Sequence, residues 1–557
     1  MTLRPWVKDV LFVGLSLTGL AGLLLAFAPI PGLRAQPLAA AAPVDSRARA
    51  EVRAVAQEVD QALRVEQVAA GVEPLEQADV LTVARRLSLA LVGTIPSLEE
   101  IRALQAQPPD DALAWWVDHL LADRRHAEYL AERLARPLVG VDQGSLILYR
   151  RRRFVAWLAD ALAQGRPWDR IATEMIAGQG LWTQHPQTNF VTAAIKPGAR
   201  VPQEEVLAGR VSRALLGVRL DCAQCHDHPF DARWTQPDFQ GLAAFFGRSE
   251  ATWRGIQEVR GEYEYHDPKA ADPVAIAPAV PFGPELLPEH GGDRQRLAAW
   301  VTHPQNRAFS RAIVNRVWAL MLGRPLVDPV DDLPVEGPVP PALDRLADDL
   351  VAHGFDLRRL VRVIAATEAF TRRSRSSEGD DADGRADEPD EDRLDALLRT
   401  WAAFPLTRLR PEQVVGALLQ SASLTTLDHE SHVVDELARF VQQRDFVRRY
   451  GDAGEDELEP DTGTIPQRLL MLNGELVQQR TRDDLVANAA TRIAVLASGD
   501  AQAVEVAYLA VLTRLPTPPE AEHFERRLAG LAGRERRDAV ADLCWALLNS
   551  TEFAWNH

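Results

Sequence analysis

The chain has 557 residues, 46% of them hydrophobic and 25% charged, which is an ordinary globular composition long enough for more than one packed unit. That excludes a wholly disordered, collagen-like or polytopic membrane protein. Asp and Glu number 79 against 62 Lys and Arg, a formal charge of −17. Without a basic stripe such a chain is a poor binder of nucleic acid, whose phosphates need clustered cations, so no nucleic-acid partner is expected.

Taken in chain order, Arg4 and Lys8 precede an apolar stretch from Val10 to Ala28, broken only by Ser16 and Thr18. Pro29, Pro31 and Gly32 follow, and then the small residues Ala39 to Ala42. Residues 1–42 read as a signal peptide or, alternatively, an uncleaved anchor that would form a single N-terminal membrane attachment. Either reading exports the rest of the chain to the periplasm, the cell envelope or the medium. Residues 43–64 read as a polar spacer.

From there helical periodicity dominates and the expected fold class is mainly α. Two helical domains, 65–261 and 299–557, are expected on either side of a Pro- and Asp-rich linker at 262–298. Asp79–Val92 reads as an amphipathic helix with Val80, Val83, Leu87 and Leu91 on its apolar face. Ser97 and Glu100 have the spacing of a capping box. Asp111–Leu121, Arg152–Ala163 and Glu204–Arg219 follow as helices, the last leading straight into Cys222. In the second half, helices are expected at Arg307–Leu322, closed by Gly323 and Pro325, then at Leu343–His353 and Leu357–Phe370. Residues 376–392 hold nine carboxylates and one arginine, Arg385, and read as an acidic surface loop. Helices resume at Pro411–Ser423, Val433–Val447, Ile465–Gln479, Thr481–Leu496, Ala503–Leu512, Pro518–Leu531 and Arg537–Asn549. Strand patterns are scarce, and Tyr263–Tyr265 is too short to count. Leu89–Glu100 and Leu509–Glu520 echo each other as a helix, a short turn and Pro-Ser/Thr-x-x-Glu, which two good helix connections explain without a duplication.

Only three cysteines occur, so the chain is not a disulfide scaffold. Cys544 lies in an apolar run and reads as a small buried hydrophobe. The other two make up Cys222-Ala223-Gln224-Cys225-His226, the C-x-x-C-H pattern of covalent c-type haem attachment. Two thiols one turn apart reach two vinyl groups on one porphyrin edge, and the adjacent imidazole is placed to ligate the iron. The cofactor expected is therefore haem c on Cys222 and Cys225, with His226 as iron ligand. Competing readings are zinc or another divalent metal on Cys222, Cys225, His226, His228 and Asp231, and a thiol pair without metal. Met175, His185 and His119 are the candidates for a sixth iron ligand, beside an open or solvent-ligated position. Asp227 or Asp231 is expected to accept a hydrogen bond from the His226 ring. Trp234, Phe239, Phe245 and Phe246 supply either an apolar wall to the site or ordinary core.

The stretch Val211–Arg248, VSRALLGVRLDCAQCHDHPFDARWTQPDFQGLAAFFGR, resembles the Planctomycete-type cytochrome C domain of unknown function 1549. Asn306–Arg373, together with Thr464–Gln478 and Leu547–His557, is similar to its usual companion, domain of unknown function 1553. The resemblance implies exported proteins of uncharacterised activity. It carries over a site of Cys222, Cys225, His226, His228, Pro229, Phe230, Asp231, Trp234 and Gln236. Ala232 is an insertion where the family more often runs Asp-Arg-Trp. Arg136-Pro137-Leu138-Val139 departs from the family's Arg-Tyr and Ala-Asp. In the second stretch Asn315, Arg316, Trp318, Asp328, Asp331 and Asp332 are the polar candidates. The two aspartates 331 and 332 read either as a carboxylate site or as a solvated turn.

The leading functional reading is an exported c-type haem protein with a redox or electron-transfer role, working with a redox partner protein or an envelope component. The alternatives are a metal-dependent hydrolase or lyase, a carbohydrate-associated accessory protein with a non-haem site, and a non-catalytic envelope scaffold. No nucleophile–base pair, phosphate-binding loop or H-E-x-x-H motif is present to support hydrolysis.

Overall fold

Short helices with one buried face apiece have to find partners, and this chain supplies them from both of its halves. A computed structural model describes residues 46–142, 150–227, 233–265, 272–374, 391–427, 445–452, 463–485 and 488–557, with 443, 454 and 458 between them. The fold is mainly α, with two helical domains that pack within one unit, Asp45–His557. None of the described helices is long and apolar enough to cross a membrane. The apolar leader, His228 to Ala232, most of the acidic loop and most of Val433–Val447 lie outside the described residues.

Two main cores organise the chain. The larger runs from Val55 to Phe404 and draws on helices of both domains, among them Ser46–Ala70, Arg124–Val139, Arg307–Leu322 and Leu357–Ala365. The second joins Leu89, Ile95, Leu98 and Ile101 to residues 409–553. The helix Val80–Val92 belongs to both. Asp79 caps it by accepting from the amides of Leu81 and Thr82, and Gly93 ends it in the left-handed region at φ 70°. Val83 to Val92 are all buried, and Val80, expected on the apolar face, is exposed. The expected polar face is therefore interior. Arg85 donates to the carbonyls of Val511 (3.3 Å) and Phe553 (3.2 Å), and Arg86 to those of Phe370 (3.0 Å), Arg372 (2.7 Å) and His557 (2.7 Å). Backbone carbonyls take the terminal Nη donors of Arg85 and both Nε and Nη1 of Arg86 where water cannot.

The capping box forms as the spacing predicts: Ser97 Oγ accepts from the Glu100 amide, and the Glu100 carboxylate accepts from the Ser97 amide. Its echo at Thr517 and Glu520 forms the same box, and Thr513 takes the left-handed conformation that Gly93 takes. Elsewhere long expected helices are interrupted. Leu357–Phe370 stops at Ala365 before a single turn at Glu368–Thr371, and Ile465–Gln479 breaks at Gly474.

Three small antiparallel ribbons appear among the described residues. Ser249–Thr252 pairs with Gly255–Glu258, and Thr407–Arg408 with Trp555–Asn556. Tyr263–Tyr265, too short to register as a strand in the sequence, pairs with Val274–Ile276, Tyr263 opposite Ile276. Beyond it Val280, Phe282 and Leu286 pack on the larger core, and the Trp300 indole donates to the Phe282 carbonyl at 3.2 Å.

Candidate functional site

The segment that carries the cysteines is built differently from the single helix its periodicity predicts. An α-helix runs only from Glu204 to Arg210, widens into a π-helical turn at Val211–Leu215, and ends. The Val218 amide then reaches back to the Ser212 carbonyl at 2.8 Å. Gly217 sits at φ 64°, and a Cβ there would lie 2.5 Å from Leu333 Cδ1. The chain has to turn at a point where the second domain presses closest, and only glycine fits both demands.

A separate 3-10 helix, Asp221–Gln224, holds the first thiol, with Cys225 at its C-cap. With three residues per turn, positions three apart eclipse one another, which sorts the motif into three rows. Leu220 and Ala223 form the row that is fully buried. Asp221 and Gln224 line a cleft. Cys222 and Cys225 share the third row, and both are exposed and unbridged.

His226 follows at once, exposed, with its ring Nδ1 2.7 Å from the carbonyl oxygen of Asp227. That contact fits Nδ1 as the protonated donor, which leaves Nε2 with its lone pair outward. The acceptor is the backbone of Asp227 and not the carboxylate expected, because Asp227 Oδ1 is already taken by the Gln236 amide at 2.9 Å. That amide opens the helix Gln236–Ala243, whose unpaired N-terminal donors attract a carboxylate. Gln236 itself donates to the Tyr265 hydroxyl at 2.8 Å. Gln240 donates to the Gln224 carbonyl at 2.8 Å and accepts from the Tyr263 hydroxyl at 2.7 Å. The ribbon at Tyr263 thus braces the end of the thiol-bearing turn. Burial, with Glu205 beside it, pushes the Tyr263 phenol up from its ordinary value.

His228, Pro229, Phe230 and Asp231 lie outside the described residues. Among those described, no three His, Cys, Asp or Glu side chains converge as a metal centre would require. Trp234, Phe239, Phe245 and Phe246 are all buried members of the larger core, Trp234 lying 6.3 Å from the Phe282 ring. They are core first. Met175 is fully buried in the helix Trp168–Ala177. His119 is stacked on Trp115 and Trp116 at 5.2 and 5.3 Å, with Nε2 3.7 Å from Glu100. His185 is exposed against Gly180, whose added Cβ would meet its ring at 2.5 Å.

The polar residues of the second stretch separate by role. Asn315 is fully buried and holds the chain at Val327 from both sides: its Oδ1 accepts from the Val327 amide at 3.0 Å and its Nδ2 donates to the Val327 carbonyl at 2.8 Å. Asp331 is buried and accepts from Arg213 Nε and Arg219 Nε, both at 2.8 Å. Burial would raise its pKa, but the two guanidiniums outweigh burial and hold the carboxyl below its usual range. Asp332 is exposed in a turn, its amide donating to the Pro329 carbonyl. Trp318 is core, edge-on to Trp401.

Arg213, Arg219 and Asp331 meet at a cleft of about 550 Å³ that also takes in Asp221, Gln224 and Arg316. Burial raises the Asp221 carboxyl and nearby Asp331 adds to the rise, while Arg213, 3.6 Å away, opposes them. Arg316, Asp328 and Asp331 are polar candidates from their own stretch, but their meeting with Arg213 and Arg219 is not foreseeable: those two fall on an expected helix whose real course differs, more than a hundred residues from Asp331.

Comparison with known families matches two models in order. The model for PSCyt2, a protein of unknown function (DUF1549), covers residues 58–251, and that for PSD1, a protein of unknown function (DUF1553), covers residues 293–452. No curated protein and no solved structure matches the chain.

Proposed function

We propose, from the premise that the chain belongs to the proteins in which a DUF1549 domain precedes a DUF1553 domain, that it is an exported c-type haem protein with a redox role. The observation that carries this reading is the row shared by Cys222 and Cys225 on the 3-10 helix, both thiols exposed, with His226 beside them. When bound, the haem would supply one-electron chemistry at its iron.

The chain's own residues have definable tasks in this reading. Cys222 and Cys225 would hold the porphyrin edge. His226 would offer Nε2 while the Asp227 carbonyl keeps its Nδ1 engaged. The buried Leu220 and Ala223 fix the turn against the core, and Gln240 holds its last carbonyl. Exposure of the thiol row leaves the site open to the attachment machinery and to a redox partner protein or envelope component. The apolar leader supports export, which covalent attachment requires, and a periplasmic, envelope or secreted location follows.

The test is a pyridine haemochrome spectrum with intact-mass analysis, on protein made in a host with cytochrome c maturation. The expected result is an α band typical of two thioether links and the added mass of one haem, both lost on Cys225→Ala. Absence of both from the wild-type chain would overturn the reading, and metal analysis of the site from Cys222 to Asp231 would follow.

A further inference from the structure

The geometry points to a second site: we propose that the cleft between the two domains binds a small molecule with an oxyanion at one end (carboxylate, sulfate or phosphate) and hydroxyl or ammonium donors at the other. The proposal does not depend on the haem reading.

Its volume, about 550 Å³, falls within the roughly 300–1,000 Å³ usual for small-ligand sites. On its floor the Asp331 carboxylate lies beneath two arginines, accepting from Arg213 Nε on Oδ2 and from both Nε and Nη2 of Arg219 on Oδ1, each at 2.8 Å. A guanidinium is planar and its donors are fixed. Docking one edge of Arg219 on Asp331 therefore sets its Nη1 group on the opposite edge. Both arginines remain over a third exposed although Asp331 is buried. The result is an oriented guanidinium on Arg219 that needs little ordering to grip a bidentate oxyanion, with the charge of Arg213 beside it.

Among the described residues four arginines and four carboxylates line the cleft, so it suits a ligand with both kinds of polarity better than a bare polyanion. Asp221 lies 3.6 Å from Arg213 of the clamp, whereas Glu205 and Asp328 line the cleft away from it and can accept from hydroxyl or ammonium groups. No aromatic side chain lines it among the described residues, which disfavours a flat aromatic ligand. One wall is the helix containing the π turn Val211–Leu215, a form that recurs at functional sites. Gly209 keeps this wall close to Asp221: a Cβ there would lie 2.6 Å from Asp221 Oδ1.

Calorimetric titration of the full chain with malonate, sulfate and phosphate, and with tartrate against succinate, tests the proposal. Saturable binding of at least one oxyanion is expected, with tartrate bound more tightly than succinate. Arg219→Gln is expected to weaken binding about tenfold, the scale of one charge-assisted contact. Asp328→Asn, away from the clamp, is expected to remove the preference for tartrate and leave sulfate or phosphate binding within about twofold. Cys225→Ala is expected to bind as wild type whatever its haem content, which separates this site from the haem reading. The proposal is overturned if the wild-type chain binds none of the panel, if folded Arg219→Gln binds as well as wild type, or if Asp328→Asn leaves the tartrate preference intact.

Discussion

Glu412 offers a quantitative test of how the two domains are held together. It lies in the first turn of the helix Pro411–Ser421 and meets two buried arginines of the helix Arg124–Val139. Arg133 donates to it at 2.9 Å, and Arg136 also reaches it while donating to the Gly454 carbonyl at 2.8 Å. Burial alone would raise the carboxyl, but Arg133 and then Arg136 bring it down from 4.5 to about 2. The gap converts to about 3 kcal/mol of stability carried by the ionised form. Because the folded value is the depressed one, this stability is fully present above pH 4.5 and is lost as the pH falls through 4.5 toward 2. Glu412→Gln removes the charge that Arg133 and Arg136 share, Arg136 keeping Asp452 and the Gly454 carbonyl, and losing one partner of a buried pair costs up to about 3–5 kcal/mol. Urea unfolding followed by circular dichroism at pH 7 and at several lower pH values reads both effects at low ionic strength. The variant is expected to unfold at lower urea and to show a shallower loss of stability between pH 4.5 and 2. A variant within about 0.5 kcal/mol of wild type, the range of an ordinary surface substitution, with the same acid dependence, would refute the argument.

Two further perturbations probe close contacts between distant segments. Asn315→Ala leaves the Val327 amide and carbonyl without their side-chain partner; a loss of about 1–3 kcal/mol is expected, with faster amide exchange at 327–333, and unchanged exchange there would count against it. Gly416→Ala adds a Cβ 2.4 Å from the Gly93 carbonyl oxygen, which is backbone and cannot swing aside; despite alanine's advantage in helices of about 1 kcal/mol, a fall in Tm is expected, and a rise would contradict the close approach.

Local chemistry was the legible part of the fold. Asp79 and Ser97 cap helices where their spacing to the following amides says they can, and Arg307–Leu322 ends at Gly323 as expected. These signals act over a few residues and survive any tertiary context. Long-range packing was not legible. Val80–Val92 has the pattern of a surface helix, but two cores enclose it and backbone carbonyls far along the chain accept from its arginines. The run expected from Glu204 to Arg219 breaks because Gly217 must make room for Leu333 of the other domain. At the site, the C-x-x-C-H spacing sufficed to find the thiols and the imidazole. Which atoms brace them was beyond it, since the Asp227 carboxylate had a competing donor at the start of the next helix. The cleft needs Asp331 beside Arg213, 118 positions away, and no local pattern encodes that pairing.

The enclosed helix Val80–Val92 also sets an order of events. Arg86 donates to a carbonyl 471 positions later, and Arg85 to one 468 positions later. During synthesis these guanidiniums have no native acceptors at that end until almost all of the chain has emerged, and a buried donor left unmet costs about 1–3 kcal/mol. These donors therefore find their last acceptors only late, and contacts this distant in sequence slow folding. A chain that delays closure in this way stays unfolded longer, the form in which a narrow channel would have to carry it. The same two arginines that lock the finished fold would thus postpone it until after the export proposed above.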